Sequence, residues 1–169
     1  MNYIIRRKEK KDCYEIANVV TIAWQETYRG IINDEFLDNL PNTEEERGKK
    51  AYDNFNENDN HVFVLEIDNK VVGFINVGIT DDKDYLNCGE IYSIYIIKKY
   101  KGNGFGKKLI EQGIEELKKL NCNKMIIGCI KENPSNEFYK HLGGKYIKQR
   151  IYRLPNQELI ENIYYYESI

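Results

Sequence analysis

A glycine-rich segment between an apolar run and a helical run constrains the fold of this sequence more than any other feature. The letters Lys101-Gly102-Asn103-Gly104-Phe105-Gly106-Lys107-Lys108 follow the segment Glu90–Ile97, which consists mostly of β-forming residues. Apolar residues then recur at helical intervals at Leu109, Ile110, Ile114, Leu117 and Leu120. Lys124–Ile130 is the next β-rich run. The sequence therefore predicts a strand, a tight turn, a helix and a strand in succession.

The predicted turn is suited to holding an anion. Backbone N–H groups at the start of a helix lack intrahelical partners, and the helix dipole favours negative charge there. The three glycines permit positive φ angles and a close approach of the backbone to a ligand. Lys101, Lys107 and Lys108 add positive charge. A phosphate-bearing ligand is the prediction, and the alternative is a glycine-rich connection with solvated lysines.

Two common nucleotide motifs do not fit the letters of this turn. A P-loop needs four residues between its first glycine and Gly-Lys, followed by Ser or Thr. Here three residues separate Gly102 from Gly106, and Lys108 stands where the hydroxyl residue is needed. A dinucleotide fingerprint needs a different glycine spacing and an acidic ribose ligand, which Asn121-Cys122-Asn123 does not supply. Both nucleotide readings are therefore excluded.

The first quarter of the chain is predicted to be mainly helical. A short strand at Tyr3–Ile5 precedes a helix that starts at Asp12, with Glu15 at the capping-box position, and ends at Gly30. A second helical stretch begins at Asp34 and ends before Pro41, and Thr43 with Glu46 is expected to cap a further turn or two.

The rest of the chain alternates β-rich runs with one short helix. A hairpin is predicted from His61–Ile67 and Val71–Ile79, joined by a tight turn at Asp68-Asn69-Lys70. A short helix opens at Asn133-Pro134 and closes at Gly143-Gly144. The closing antiparallel pair is predicted at Lys145–Arg153 and Leu159–Glu167.

Charge and cysteine content exclude several functional classes. With 25 Lys and Arg against 27 Asp and Glu, no overall field attracts nucleic acid or an anionic membrane. Met1–Lys8 has no long apolar region or cleavage site, so a cytoplasmic location is expected. The cysteines are widely spaced, with only His61 and His141 as companions, so we expect reduced structural thiols and no metal. They are Cys13, Cys88, Cys122 and Cys129.

The turn and its surroundings resemble the GNAT family of N-acetyltransferases. The family's acetyl-CoA signature has Arg or Gln, two residues, Gly, one residue, then Gly or Ala, and Lys101, Gly104 and Gly106 occupy these positions. Asn133, Phe138-Tyr139 and Leu142-Gly143 resemble the second cofactor segment of the family. Trp24–Gly30 is similar to a segment of bacterial members. The resemblance covers almost the entire chain.

The resemblance implies an α/β (α+β) fold in one domain, residues 1–169. Its sheet is mixed and mostly antiparallel, with about six or seven strands flanked by helices and acetyl-CoA between strands 4 and 5. The implied activity is transfer of an acetyl group to a primary amine of a small molecule, polyamine or peptide by direct attack in a ternary complex. A non-catalytic acyl-CoA sensor on the same fold is the alternative. The resemblance leaves open whether the protein is a monomer or a homodimer.

The resemblance also implies site residues. Tyr139 is expected to donate a proton to the departing sulfur, and the alternative is core packing. Glu90 is the candidate base, although it can equally be a solvated charge, and Met125–Ile130, where many members carry a glutamate, contains no carboxylate. Trp24 and Tyr28 are expected to bind the acceptor amine or else to fill the core. The expected cofactor-binding residues are Ile94, Tyr95, Ile96, Lys101, Gly102, Asn103, Gly104, Phe105, Gly106, Lys107, Asn133 and Lys140.

Overall fold

The computed structural model describes all 169 residues, which form seven strands and four α-helices. The strands are β1 (Tyr3–Arg7), β2 (Val62–Ile67), β3 (Lys70–Ile79), β4 (Gly89–Ile96), β5 (Met125–Ile130), β6 (Lys145–Leu154) and β7 (Gln157–Tyr166). The helices are α1 (Cys13–Tyr28), α2 (Asp34–Asp53), α3 (Phe105–Lys119) and α4 (Ser135–His141). The strands form one mixed sheet in the order β1-β2-β3-β4-β5-β7-β6, which confirms the predicted fold class. None of the helices has both the length and the apolarity needed to cross a membrane.

The chain forms two compact units. The first unit contains Met1–Asn76 and Ser93–Gly113, and the second contains Val77–Tyr92 and Ile114–Ile169. The boundary falls inside β3, β4 and α3, so three continuous elements contribute residues to both units. The organisation as a single domain stays a prediction.

The first unit is built on an antiparallel hairpin. β2 pairs with β3, and β1 pairs with β2. Asp68 and Asn69 at the turn have φ angles of 49° and 64°, a conformation that Asn and Asp tolerate better than most residues, so the predicted hairpin is confirmed. Its core joins Val19 of α1 to strand residues such as Val64 and Phe74.

α1 starts where it was predicted, with Asp12 at its N-cap position, but the predicted capping box does not form. Asp12 is fully buried, and its carboxylate accepts hydrogen bonds from Arg6 Nη1 at 2.7 Å and Nη2 at 2.9 Å. It also accepts from the Glu9 backbone N–H at 2.7 Å, one residue before a single turn of 3₁₀ helix. Glu15 instead accepts from the Val71 N–H at 3.4 Å. A buried ion pair occupies the carboxylate that the sequence pattern assigned to capping.

The predicted break at Pro41 is also wrong, because α2 runs through it as one 20-residue helix. Proline has no N–H, so the carbonyl four residues earlier, that of Leu37, loses its helical partner. The side chain of Gln25 on α1 supplies the missing donor, with Nε2 2.9 Å from that carbonyl oxygen. Thr43 bonds back to the Leu40 carbonyl at 3.2 Å and is therefore inside the helix instead of capping a new one.

The second unit is built around β5. Parallel pairing joins Gly89–Ile91 of β4 to Met125–Ile127 of β5, while β7 pairs antiparallel with both β5 and β6. Cys88, Ile126 and Ile163 form its fully buried core. Burial raises the pKa of Cys88 to about 11 and that of Cys129 to about 12, so both thiols are neutral at pH 7.

We predict that Gln25 stabilises the protein by satisfying the carbonyl that Pro41 leaves unbonded. Gln25→Ala should lower the free energy of unfolding by about 1–2 kcal/mol, the cost of an unsatisfied, partly buried carbonyl. Urea denaturation measures the change. Pro41→Ala restores the backbone N–H, so Gln25→Ala should cost less in that background. Equal costs in both backgrounds would contradict this explanation.

Candidate active site

The glycine-rich turn has the geometry of an anion site. Gly102 and Gly104 have φ angles of 80° and 78°, which glycine adopts without strain. α3 begins at Phe105, and its first backbone bond runs from the Lys108 N–H to the Gly104 carbonyl at 3.2 Å. Helix geometry therefore leaves the preceding N–H groups of the first turn without intrahelical acceptors. A β-carbon added at Gly102 or Gly104 would meet no atom within 4 Å, so the turn is open on that side. These features fit a phosphate group.

Side chains of the first unit hold this turn in place. Asn103 Nδ2 donates to the Tyr100 carbonyl at 3.1 Å and the Lys101 carbonyl at 3.2 Å. Phe105 is buried, with its ring 5.0 Å from that of Tyr3. The side chains of Asn103 and Phe105 are both held by contacts within the protein. Only the backbone groups of these two residues therefore remain for the expected ligand contacts. Lys101 and Lys107 are exposed, as a role in attracting phosphate requires.

A carboxylate on α1 supports the approach to the turn. Glu26 Oε2 accepts the Lys98 backbone N–H at 2.7 Å, at the start of the short 3₁₀ segment Lys98–Tyr100. No sequence pattern had singled out Glu26. This bond ties α1 to the chain that enters the turn.

An aromatic cluster brings both predicted acceptor-binding residues next to β4. The Trp24 ring lies 5.1 Å from Tyr28 and 6.2 Å from Tyr95, and Phe36 of α2 lies 6.1 Å from Trp24. The hydroxyl oxygens of Tyr28 and Tyr95 are 3.4 Å apart. Tyr95 therefore joins the expected acceptor residues to the strand that was expected to hold the cofactor.

Gly73 of β3 allows a close approach to that segment of β4. A β-carbon at Gly73 would lie 2.9 Å from the Tyr95 carbonyl oxygen. Ile96 is buried, so its side chain belongs to the core and only its backbone remains for a ligand.

Tyr139 in the second unit is held through its backbone. Its carbonyl accepts the Gly144 N–H at 3.0 Å and the Tyr166 hydroxyl at 2.7 Å. A β-carbon at Gly144 would lie 2.8 Å from the Tyr139 carbonyl oxygen and 2.8 Å from the Tyr166 hydroxyl oxygen, so glycine is required there. The Tyr139 side chain is nearly buried, with its ring 6.4 Å from that of Tyr164.

Asn136 fixes the start of α4, although sequence reasoning missed it. Its buried Nδ2 donates to the carbonyls of Ile130 at 2.9 Å and Asn133 at 2.6 Å, and its Oδ1 accepts the Tyr164 hydroxyl at 2.7 Å. A buried amide with this many partners is a strong structural constraint.

The two remaining expected cofactor residues have protein partners. Asn133 Oδ1 accepts the Ser135 N–H at 2.9 Å and so caps the approach to α4. Lys140 is exposed and its Nζ lies 2.9 Å from Glu137 Oε1. Its ammonium remains within reach of solvent, as does the neighbouring His141.

Glu90, the candidate base, is buried in a hydrogen-bonded network. Its Oε2 accepts the Thr80 hydroxyl at 2.7 Å, and its Oε1 accepts Arg150 Nη2 at 2.7 Å. Only 3% of the residue is exposed. Glu90 is therefore not the solvated charge that was the alternative. Its role as a base stays a prediction. The two hydrogen bonds argue against that role, because a proton acceptor needs a lone pair that the substrate can reach.

Arg150 joins Glu90 to a second carboxylate that sequence reasoning missed. Arg150 Nε lies 2.9 Å from Glu161 Oε1, and Nη1 lies 3.4 Å from Asp82 Oδ2. Gly128 lies beneath these groups: a β-carbon there would be 2.8 Å from Glu161 Cδ and 3.1 Å from Arg150 Nη2. The isolated glycine in the apolar run Met125–Ile130 was the available sequence signal, because such a glycine often marks a close approach.

Burial governs the ionisation of Glu161. Burial raises the pKa of Glu161, and the negative charge of Glu90 adds to that rise, while Arg150 acts in the opposite direction. The structure holds no group of three or more His, Cys, Asp or Glu side chains that could bind a metal ion. Independence from metal stays a prediction.

Comparisons with known proteins agree on one family. The family model described as acetyltransferase (GNAT) family matches residues 20–143. An uncharacterised N-acetyltransferase of Bacillus subtilis (strain 168), YuaI, is 29% identical over 137 residues, covering 80% of this chain and 76% of the relative.

Solved structures show the same fold. The PaiA N-acetyltransferase of Thermoplasma acidophilum, in complex with coenzyme A, is 18% identical with a TM-score of 0.66, covering 96% of this chain and 98% of that one. YncA of Salmonella typhimurium, a putative acetyltransferase with acetyl-CoA, is 20% identical with a TM-score of 0.66, covering 98% and 94%.

We predict that Arg150 stabilises the second unit by neutralising buried carboxylates. Arg150→Met should lower the free energy of unfolding by about 3 kcal/mol near neutral pH, because Glu90 and Glu161 lose their shared cation. Arg150 opposes the rise in the pKa of Glu161, so without this cation the folded-state pKa of Glu161 rises further. Protonation of Glu161 then favours the folded variant, and the loss should be smaller at about pH 5 than at about pH 8.

Arg153→Met is the matched control, since Arg153 on the same strand pairs with Glu158 in solvent. It should cost less than about 1 kcal/mol. Urea denaturation at both pH values measures both variants, and equal costs for the two would contradict a buried role for Arg150.

Proposed function

Because the chain belongs to the GNAT acetyltransferase family, we propose that it transfers the acetyl group of acetyl-CoA to a primary amine of a small molecule, polyamine or peptide. Family membership makes the protein an acetyl-CoA-dependent acetyltransferase, and the class of amine is the proposal. The attack is direct, with both substrates bound together.

The open turn before α3 is the observation that carries this proposal. Positive-φ glycines, first-turn N–H groups without intrahelical acceptors and exposed lysines suit the phosphates of coenzyme A. Bound acetyl-CoA supplies a thioester-activated acetyl group. Lys101 and Lys107 attract the phosphates, while the backbone of Gly102–Gly106 approaches them closely. Asn133 and Lys140 are further proposed contacts.

The first unit also supplies a surface for the acceptor. Trp24, Tyr28 and Tyr95 offer ring faces and two hydroxyl groups within one cluster, which suits a ligand with an apolar or cationic part. Backbone N–H groups of Ile94–Ile96 are proposed to orient the acetyl carbonyl, since an aimed N–H stabilises negative charge that develops on oxygen.

Tyr139 is proposed to give a proton to the leaving sulfur. A phenol has an unperturbed pKa of about 10, so it carries its proton at neutral pH. The bonds to the Tyr139 carbonyl fix the backbone from which the side chain projects, which supports a role that needs fixed geometry.

The proposed function predicts acetyl-CoA binding at the turn and amine-dependent thiol release. Gly104→Asn should abolish binding measured by calorimetry, because Asn tolerates a positive φ yet adds a side chain where phosphate must approach. Gly30→Asn is the matched control: Gly30 has the same open surroundings and a φ of 80° but lies outside the turn. It should bind normally.

Thiol release is measured with propylamine, spermidine, kanamycin and a short peptide with a free amino terminus. Wild-type protein should release free CoA with at least one of them. Acetyl-CoA binding without release for any amine would overturn the proposed transfer. Unchanged binding in a folded Gly104→Asn variant would overturn the assignment of the turn.

We predict that removing the Tyr139 hydroxyl lowers turnover without weakening acetyl-CoA binding. Tyr139→Phe should reduce kcat by about 10²-fold, the usual scale of proton donation. Tyr139→Ala should in addition lower the free energy of unfolding by about 3–5 kcal/mol, because the ring is nearly buried. Steady-state kinetics and thermal melts separate the two effects. Near-wild-type kcat in Tyr139→Phe, with chemistry limiting the rate, would leave packing as the role of Tyr139.

A further inference from the structure

We propose that Glu161 accepts the proton of the attacking amine, and that Glu90 and Arg150 are positioning residues that hold its carboxylate over Gly128. The inference rests on the proposed acetyl transfer and names the base for that reaction. It assigns to β7 a role that the sequence pattern placed on β4.

Strand register places these residues on one face of the second unit. Gly128 and Ile130 are two residues apart on β5 and so point to the same face, and Glu161 of β7 lies directly opposite Ile130. Arg150 of β6 lies directly opposite Glu161. Glu90 of β4 is in register with Ile126, which shares that face.

The missing side chain of Gly128 makes room for the Glu161 carboxylate. A β-carbon at that position would overlap Oε2 and lie 2.8 Å from Cδ. Glycine inside a strand costs about 0.5–1 kcal/mol relative to alanine. Here the glycine lets a carboxylate from β7 lie above β5, the strand whose own sequence lacks one.

The two glutamates differ in how their oxygens are used. Both oxygens of Glu90 accept hydrogen bonds, from Thr80 and Arg150, and its side chain is 4% exposed. Glu161 is 13% exposed, and only its Oε1 accepts a bond, from Arg150 Nε. Oε2 of Glu161 accepts no hydrogen bond from the chain. A lone pair is thus available on Glu161, while Arg150 fixes the carboxylate through the other oxygen.

Gly128 also marks the end of the pairing between β4 and β5. The last pair is Ile91 with Ile127, and Gly128 is the next residue of β5. The free oxygen of Glu161 therefore lies where the paired ladder stops.

In the proposed reaction, Glu161 takes up the proton that the amine loses when it attacks the acetyl group. The amine nitrogen forms a bond to the acetyl carbon, the bond from that carbon to sulfur breaks, and the sulfur leaves with the electron pair. The proton released by the nitrogen passes to Glu161 Oε2 and then to solvent. The sulfur takes its proton from the proposed donor Tyr139 or from water.

The groups facing Glu161 raise its pKa above the ordinary glutamate value. Burial and the charge of Glu90 raise the pKa of Glu161, and Arg150 limits the rise. Tyr152 of β6 and Cys129 of β5 also interact with it, and the pKa of each is raised, so both stay neutral. A base whose pKa is closer to the working pH transfers protons more effectively.

Glu161→Gln tests the inference, with Glu158→Gln as the matched control. Glu158 is also on β7, but it is exposed and pairs with Arg153. With the fastest amine of the panel named above, Glu161→Gln should lower kcat/KM by about 10²–10³-fold with unchanged acetyl-CoA affinity. Expressed per concentration of neutral amine, wild-type kcat/KM should rise with pH through the pKa of Glu161, and the variant should lose this rise. Glu158→Gln should keep both rate and profile.

Two further variants protect the test against misfolding and against a merely structural role. Glu161→Ala leaves space above Gly128, so added formate should restore part of the lost rate. Glu90→Gln should keep a rise with pH but move it to lower pH, because one negative neighbour of Glu161 is removed. Thermal melts report folding, and Glu161→Asp, which retains the charge, replaces Glu161→Gln if that variant does not fold.

Carbon-13 NMR of labelled glutamate side chains gives a readout that needs no substrate. The resonance lost in Glu161→Gln should titrate above the ordinary glutamate range in wild-type protein and shift to lower pH in Glu90→Gln. An ordinary or lower pKa for Glu161 would contradict the inference.

Activity separates failure of the inference from failure of the function. If wild-type protein transfers acetyl groups but Glu161→Gln keeps its rate and pH profile, Glu161 is not the base and the transfer stands. If Glu90→Gln instead abolishes the rise with pH, the base is Glu90. If wild-type protein acetylates no amine of the panel, the proposed function falls and the inference falls with it.

Discussion

The guanidinium of Arg150 is the interaction on which the carboxylate cluster of the second unit depends. Buried carboxylates are stable only when they are paired, and this one cation meets Glu90 and Glu161 from two strands, with Asp82 nearby. The contact exists because Gly128 leaves the surface of β5 free of a side chain. Loss of Arg150 would leave both glutamates without their cation, so the stability of the cluster depends on this one side chain.

In the first unit, the important feature is a set of backbone N–H groups that have no intrahelical partners. The start of α3 presents N–H groups to an open side, while protein contacts secure the turn elsewhere through Asn103, Glu26 and Phe105. The binding proposed above relies on backbone groups, and such binding tolerates side-chain changes around it. Lys101 in place of the Arg or Gln of the family signature is compatible with that proposal.

Sequence patterns predicted the helices, strands and turns better than they predicted the contacts between side chains. The hairpin, the turn before α3 and the closing pair of strands depend on local residue types, and all three were found. Asp12 and Pro41 were misread for the same physical reason. In each case the decisive partner, Arg6 or Gln25, is a side chain brought close by folding, and the local pattern contains no trace of it.

By itself, the sequence determined the order of elements and the anion-suited turn. These follow from periodicity, glycine spacing and residue type, which are properties of neighbouring letters. The family was indicated by the resemblance of Lys101, Gly104 and Gly106 to its acetyl-CoA signature. Only the tertiary structure decided which carboxylate is reachable. Glu90 and Glu161 look alike as letters, but cross-strand pairing buries one between Thr80 and Arg150 and sets the other above Gly128 with one oxygen free. Burial and pairing depend on residues distant in the chain, and these control where a proton can go.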